Sequence, residues 1–119
     1  MNRLSIQNDL LGVFLKVTKP GHWQEVEDMG NAMGVEFLCP LCFTTNAGPI
    51  GTHAVICWSR SRGTPEDETP GPGRWRMDGT GLHDLTLNAD PPGTARSVLL
   101  TGGCGWHGFV DGGFAHGGF

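Results

Sequence analysis

The sequence lacks long apolar runs and strong charge. No stretch of its 119 residues approaches the roughly 20 consecutive apolar residues that a membrane-spanning helix needs. Polar residues up to Asp9 interrupt the apolar segment that a signal peptide would require, so we expect a soluble protein made in the cytosol. Charged residues make up only 17% and the net charge is −4, which argues against a dedicated nucleic-acid-binding protein.

The common catalytic fingerprints are also missing. The sequence contains no H-E-x-x-H zinc-protease motif, no H-x-E with P-C-x-x-C, no G-x-S-x-G, no P-loop and no Rossmann glycine pattern. These absences favour a protein that is not an enzyme, without excluding an enzyme that lacks such a motif.

Glycine and proline are abundant instead, at 20 and 8 residues. The apolar types Leu, Ile, Val and Phe still occupy 27 of 119 positions, which is above the level of roughly 20% below which chains stay unfolded. We therefore attribute the glycines to many turns between short strands rather than to disorder.

Short runs rich in β-forming residues recur along the chain. They lie at 11–17, 35–38, 53–58, 74–77, 84–87, 97–100 and 108–110. Helical spacing of Val26, Met29 and Met33 predicts one or two helical turns within 24–33. The pattern predicts a single mostly β domain over 1–119, a small antiparallel sheet or sandwich-like fold with little helix. We expect 62–73 to be a mobile loop and 114–119 to fray.

Two paired motifs predict a metal site. Cys39 and Cys42 form a C-x-x-C, and Cys104 and His107 form a C-x-x-H. Each pair can aim both side chains at one point from a tight turn, and zinc prefers four tetrahedral nitrogen and sulfur ligands. A reducing cytosol favours thiolate ligands over disulfides. We therefore predict a structural Zn²⁺ that closes a long loop between the middle of the chain and its end.

Other uses of these residues stay open. Free buried cysteines with a core histidine are the plain alternative, and a redox C-x-x-C is a minor one. His53 and Cys57 lie four residues apart on a predicted strand, about 13 Å from each other, so they cannot share one ion. Cys57 fits a small buried hydrophobic residue. His53 could replace one predicted ligand, but it ranks below His107.

The motifs at 37–42, 74–77, 79–87 and 103–110 together resemble an uncharacterised family of small phage and prophage proteins. The family pattern is a cysteine cluster and a terminal C-x-x-H that an aromatic strand follows. The resemblance implies zinc binding and a phage origin, and hence a place in the host cytoplasm or the virion. Some members are called ammonia monooxygenases, which are membrane-embedded copper complexes. We reject that label because this sequence has no membrane span.

We favour a protein-interaction module that binds a host factor or serves as a virion component. Interfaces are enriched in Trp and Arg. The candidate contact residues are Trp58, Arg60, Arg62, Arg74, Arg76 and Trp106. The partner would be a host or phage protein, and association with a second copy of the chain stays open.

Two other functions are weighed against this one. A zinc-dependent hydrolase would need three protein ligands and a metal-bound water, with Asp84, His83 or His53 as general base. A single-stranded nucleic-acid-binding protein could use the arginines with Trp58 or Trp75, but the acidic net charge argues against this function.

Overall fold

The computed structural model describes residues 3–71, 73–100 and 104–119. In these residues it has ten β-strands, one α-helix and three 3₁₀ turns. The strands are β1 Arg3–Ser5, β2 Val13–Lys19, β3 His22–Val26, β4 Gly34–Leu38, β5 Ala54–Trp58, β6 Trp75–Asp78, β7 Thr86–Ala89, β8 Val98–Leu99, β9 His107–Asp111 and β10 Phe114–His116, and the helix is α1 Pro40–Asn46. The expected mostly β fold with little helix is confirmed. None of the helices within the described ranges has the length and apolar character to span a membrane.

The strands form three small antiparallel sheets. The first has the order β1-β10-β9-β8, the second β3-β2-β4-β5, and the third is the β6-β7 hairpin. A single parallel bridge between Ser59 and Trp75 connects the second sheet to the third. The predicted strand runs 74–77 and 84–87 correspond to β6 and β7, and their register joins Met77 to Leu87.

The first two sheets share one apolar core. Val35 and Phe37 on β4 are buried, as period-two alternation requires for one face of a strand. Phe37 meets the buried ring of Trp106 edge to face, with ring centroids 6.2 Å apart. The Trp106 indole N–H donates to the Gly117 carbonyl at 2.8 Å, so this large side chain is buried without leaving its polar atom unpaired.

The turn before β7 is closed by one carboxylate. Asp84 accepts hydrogen bonds from the Thr80 and Gly81 backbone N–H groups and from the Thr80 hydroxyl. These bonds favour the ionised form and lower the pKa of Asp84 to about 2. Its role in the structure is therefore to hold the turn that connects β6 to β7.

The segment 24–33 differs from its prediction. Its first residues belong to β3, where Val26 pairs with Phe14 and Gln24 pairs with Lys16. Only a short 3₁₀ turn, Met29–Asn31, follows, and the Asp28 carboxylate caps it by accepting from the Asn31 N–H at 2.9 Å. Backbone pairing with β2 supplies the hydrogen bonds that a helix would otherwise have made, and Gly30 is a poor helix former.

The C-terminal segment also differs from its prediction. Residues 114–119 were expected to fray, but Phe114–His116 form β10 in the interior of the first sheet. Ala115 lies opposite Leu4 on one side and Val110 on the other, and it is fully buried. The strand is held because both of its edges pair, which composition alone does not reveal.

The loop that follows β5 makes hydrogen bonds to the second sheet. The Trp58 indole N–H donates to the Thr69 carbonyl at 2.8 Å. The Glu68 carboxylate, on a buried residue, accepts from the Gly21 N–H at 3.1 Å. The described part of this loop thus covers one face of the second sheet, and the mobility expected for 62–73 stays a prediction.

Gly34 allows an indole ring to pack against the second sheet. It lies directly opposite Trp58 in the β4-β5 register. A Cβ atom at Gly34 would lie 2.5 Å from Trp58 Cε3 and 2.8 Å from the Cys57 carbonyl oxygen. Trp58 in turn contacts Trp23 edge to face at 5.5 Å. The glycine is therefore required by space, since its own backbone conformation is ordinary.

We predict that Gly34→Ala lowers the free energy of unfolding by about 1–3 kcal/mol, because overpacking forces Trp58 or the strand to shift. Gly71→Ala is the matched control: its Cβ would meet nothing closer than the Glu68 carbonyl oxygen at 3.6 Å, so it should change stability by less than about 0.5 kcal/mol. Urea unfolding of both variants measures the difference. Equal effects of the two substitutions would contradict this packing.

Candidate metal centre

Cys39 lies at the junction of β4 and α1. The strand ends at Leu38, Cys39 is the N-cap of the helix, and Pro40 occupies the first helical position, where its missing N–H costs nothing. Cys42 falls in the first turn of α1. Strand end and helix start together fold the C-x-x-C so that both sulfurs face the same region.

Backbone pairing brings His53 to this junction. The antiparallel register joins Leu38 to Ala54, and the Cys39 N–H extends it by donating to the His53 carbonyl at 2.8 Å. The imidazole Nδ1 lies 3.3 Å from the Ala54 carbonyl oxygen. A proton on Nδ1 bonds that carbonyl and leaves the Nε2 lone pair facing the sulfurs, which is the tautomer that a metal ligand needs.

Cys104 completes the cluster from the other end of the chain. Its sulfur lies 3.2 Å from the Cys39 sulfur and 3.4 Å from His53 Nε2. One ligand atom each from Cys39, Cys42, His53 and Cys104 lies within 4.8 Å of all the others. These four residues, which we call the Cys₃His cluster, are close enough to bind a metal ion.

The spacing fits a tetrahedral site. Bonds of about 2.3 Å from zinc to sulfur and about 2.0–2.1 Å to nitrogen place two sulfurs about 3.8 Å apart and a sulfur about 3.6 Å from the nitrogen. The Cys39 to Cys104 and His53 to Cys104 distances are within about 0.6 Å of these values. Small side-chain adjustments are enough to accept an ion.

The structure brings together three of the four predicted ligands, and His53 stands where His107 was expected. His107 begins β9, is exposed, and pairs with Leu99 of β8. Side chains alternate across a strand, and both Trp106 and Gly108 are buried, so the His107 ring points away from the interior. The C-x-x-H spacing suited a turn, but His107 is the first residue of strand β9.

The fourth cysteine lies elsewhere. Cys57 is buried in the core of the second sheet, opposite Val35, and burial raises the pKa of its thiol. It is outside the Cys₃His cluster and behaves as a small apolar residue, as its sequence position indicated.

Burial and hydrogen bonding act differently on the clustered thiols. Burial is the main reason that the pKa of Cys39 rises to about 12, and burial also raises the pKa of Cys42. At Cys104 burial works in the same direction, but hydrogen bonds from His53 and Cys39 outweigh it and lower the pKa to about 7. Without a cation, the C-x-x-C is therefore a poor source of thiolate. A divalent ion bound by these residues would supply the positive charge that favours ionisation of all three sulfurs.

The cluster is open to solvent on one side. Cys39 is fully buried, Cys42 and Cys104 are half-buried, and His53 is exposed. An ion can thus reach the site from solvent, and the site joins the second sheet to the start of β9.

The two tryptophans predicted to contact a partner are buried. Trp58 packs over Gly34 and Trp106 packs on Phe37, and both are at most 1% exposed. Their residue type made them candidates for an interface, but in the structure both indole rings pack in the interior. They cannot serve as surface contacts in this fold.

The four candidate arginines divide into two pairs. Arg62 donates to the Met29 and Ala32 carbonyls. The buried guanidinium of Arg74 donates to the loop carbonyls of Pro65, Glu66, Glu68, Pro70 and Gly73, so both arginines hold the protein's own backbone. Arg60 and Arg76 are exposed and pair with Glu66 and Asp78, each at 3.0 Å, and Arg60 also donates to the Asp90 carbonyl at 2.7 Å. Only this second pair is available to a partner.

No family model, curated protein or solved structure matches the chain. Fold and site therefore define its class by themselves: a mostly β protein of small antiparallel sheets with a cysteine and histidine cluster that could hold a metal ion.

Proposed function

We propose that this protein is a scaffold that a structural zinc ion stabilises and that binds another protein. One observation supports the zinc-binding part of this proposal. Three segments that are distant in sequence place three sulfurs and one imidazole nitrogen within 4.8 Å of one another. Apolar packing alone gives no reason for four such groups to converge at the surface.

The donor set favours zinc over other ions. Thiolates with imidazole suit Zn²⁺, whereas carboxylate and carbonyl oxygens suit Mg²⁺, Ca²⁺ and Mn²⁺. Tetrahedral sites with sulfur and nitrogen ligands are the usual structural zinc sites, and four protein ligands leave no position for a reactive water. A structural role fits this donor set better than a hydrolase, which would need that open position.

The ion would be important for stability. Apparent zinc affinities in small structural sites correspond to about 10–16 kcal/mol, which is as large as the whole stability of an ordinary domain at about 5–15 kcal/mol. The ligands join Cys39, at the end of β4, to Cys104, which lies 65 positions later and precedes β9. Zinc would therefore hold the second sheet to the first, beside the contact between Phe37 and Trp106.

We predict that the isolated wild-type protein holds one zinc per chain, and that His53→Ala weakens zinc binding by at least about 100-fold, since even residues that only support a ligand cost 10–100-fold. His107→Ala is the matched control, because it removes a second exposed imidazole that lies outside the cluster. It should retain one zinc. Elemental analysis and competition with a chromogenic chelator measure both.

Cys57→Ala gives a second control, because it removes a thiol from the core rather than from the cluster. It should lower stability and leave the zinc content unchanged. If His107→Ala loses zinc while His53→Ala retains it, or if Cys57→Ala loses it, the ligand assignment is wrong.

The other part of the proposal is that this protein binds a partner protein through exposed residues. Ile50 is 90% exposed, in the turn between α1 and His53, and Leu99 on β8 is 55% exposed. Because the two predicted tryptophans are buried, we expect a partner to contact these two exposed apolar side chains together with Arg60 and Arg76. By its motifs the chain resembles small phage proteins, so the partner would be a host factor or a virion protein.

An affinity-capture experiment tests this half. Wild-type protein immobilised through a terminal tag should retain a specific protein from a bacterial lysate, and Ile50→Asp should retain at least tenfold less. Thr45→Asp, an exposed polar position on α1, is the control for the added charge. Equal capture by all three proteins, or no capture by the wild type, would count against the interaction role.

A further inference from the structure

We propose that the metal centre is also a peroxide-responsive switch, in which Cys39 and Cys104 join as a disulfide and release the ion. This inference rests on the proposed zinc site and adds a means of its regulation. It begins from the spacing of two sulfurs in the Cys₃His cluster.

The two sulfurs are almost in bonding position. They lie 3.2 Å apart, whereas a disulfide needs about 2.05 Å and two sulfurs on one zinc lie about 3.8 Å apart. Modest rotation of the two side chains about their Cα–Cβ bonds can move the pair between these states. The residues are 65 positions apart in sequence, so the fold, and not a local motif, holds them together.

Their unequal exposure assigns the chemical roles. Cys104 is half-buried and can meet a small oxidant from solvent, while Cys39 is fully buried directly behind it. The sulfur that meets peroxide first is therefore that of Cys104, and Cys39 is in place to resolve the product. This arrangement of an accessible sulfur beside a resolving one is typical of thiol sensors.

The steps balance with hydrogen peroxide as the oxidant. The Cys104 sulfur attacks one peroxide oxygen, the O–O bond breaks, and the departing hydroxide takes a proton to become water. The Cys39 sulfur then attacks the resulting Cys104 sulfenic acid, the S–O bond breaks, and the departing hydroxide takes a second proton from solvent and leaves as water. Two thiolates are oxidised to one disulfide, one peroxide is reduced to two waters, and Zn²⁺ leaves without a change of oxidation state because two of its four ligands are gone.

The switch would exchange one cross-link for another. Zinc and the disulfide both join the end of β4 to Cys104, three residues before β9 begins, so the two sheets stay linked in either state. Oxidation changes the surface instead, because Cys42 and His53 lose their ion. The oxidised protein should therefore remain folded, unlike a reduced protein from which zinc is stripped.

The structure also selects the bonded pair. A C-x-x-C would ordinarily form its own disulfide, here between Cys39 and Cys42. The close contact of 3.2 Å joins Cys39 to Cys104 instead, and Cys42 is fixed in the first turn of α1. The inference therefore names one pairing among those that three cysteines allow.

Zinc-loaded protein treated with hydrogen peroxide tests the switch. We expect release of one zinc per chain, loss of two of the four thiols, and linked peptides that contain Cys39 and Cys104 in a non-reducing digest analysed by mass spectrometry. Dithiothreitol should restore zinc binding. The melting temperature of the oxidised protein should stay within about 5 °C of the zinc form, while reduced protein treated with EDTA should melt at least about 15 °C lower.

Two variants sharpen the result. Cys42→Ser should still form the link between Cys39 and Cys104 on oxidation, even where its zinc affinity is reduced, and Cys57→Ala should oxidise as the wild type does. A link between Cys39 and Cys42, oxidation of Cys104 to sulfinic acid without a disulfide, or unfolding of the oxidised protein would overturn the switch. Failure of the zinc site itself is a separate result, seen as absence of zinc from the untreated protein.

Discussion

The connection between the end of β4 and the residues before β9 is the constraint on which the rest of this structure depends. The strands are short, ten of them averaging fewer than five residues, and isolated strands of this length have little stability of their own. Cys39 bonds through its backbone to His53 and through its side chain approaches Cys104. A cation bound there would join both sheets at one point. The buried contact of Phe37 with Trp106 is a second link between the same two bodies.

Sequence reasoning reached the fold class and most of the strands because both depend on local composition. Runs of β-forming residues bounded by Gly and Pro predict a strand from local composition, whichever other strand it pairs with. It failed at β3, which forms a local hairpin with β2 although Val26, Met29 and Met33 have helical spacing. It also failed at β1 and β10, which pair with each other across almost the whole length of the chain. The fourth cluster residue, His53, was considered from the sequence but ranked below His107. The spacing of Cys104 and His107 suggested one turn, whereas the antiparallel register of β4 with β5 places His53 beside Cys39. Treating the predicted strands 35–38 and 53–58 as a hairpin would have brought His53 to the cysteine.

The predicted contact residues show that residue type alone does not determine which side chains are exposed. Trp58, Trp106 and Arg74 have the residue types that interfaces use, but the same properties make them useful inside this small protein. The indoles fill the core, and the Arg74 guanidinium satisfies backbone carbonyls of an irregular loop that has few hydrogen bonds of its own. Residue type indicates what a side chain can do, and only its tertiary position decides whether a partner can reach it. Ile50, which no sequence pattern singles out, is among the most exposed large apolar side chains of the described residues.

X-ray absorption at the zinc edge, on protein purified without added chelator, tests the central claim most directly because it reports the atoms bonded to the ion. We predict a four-coordinate shell of three sulfurs at about 2.3 Å and one imidazole nitrogen at about 2.0 Å, with the nitrogen signal lost in His53→Ala and kept in His107→Ala. A shell dominated by oxygen, or one with two sulfurs and two imidazoles, would contradict it.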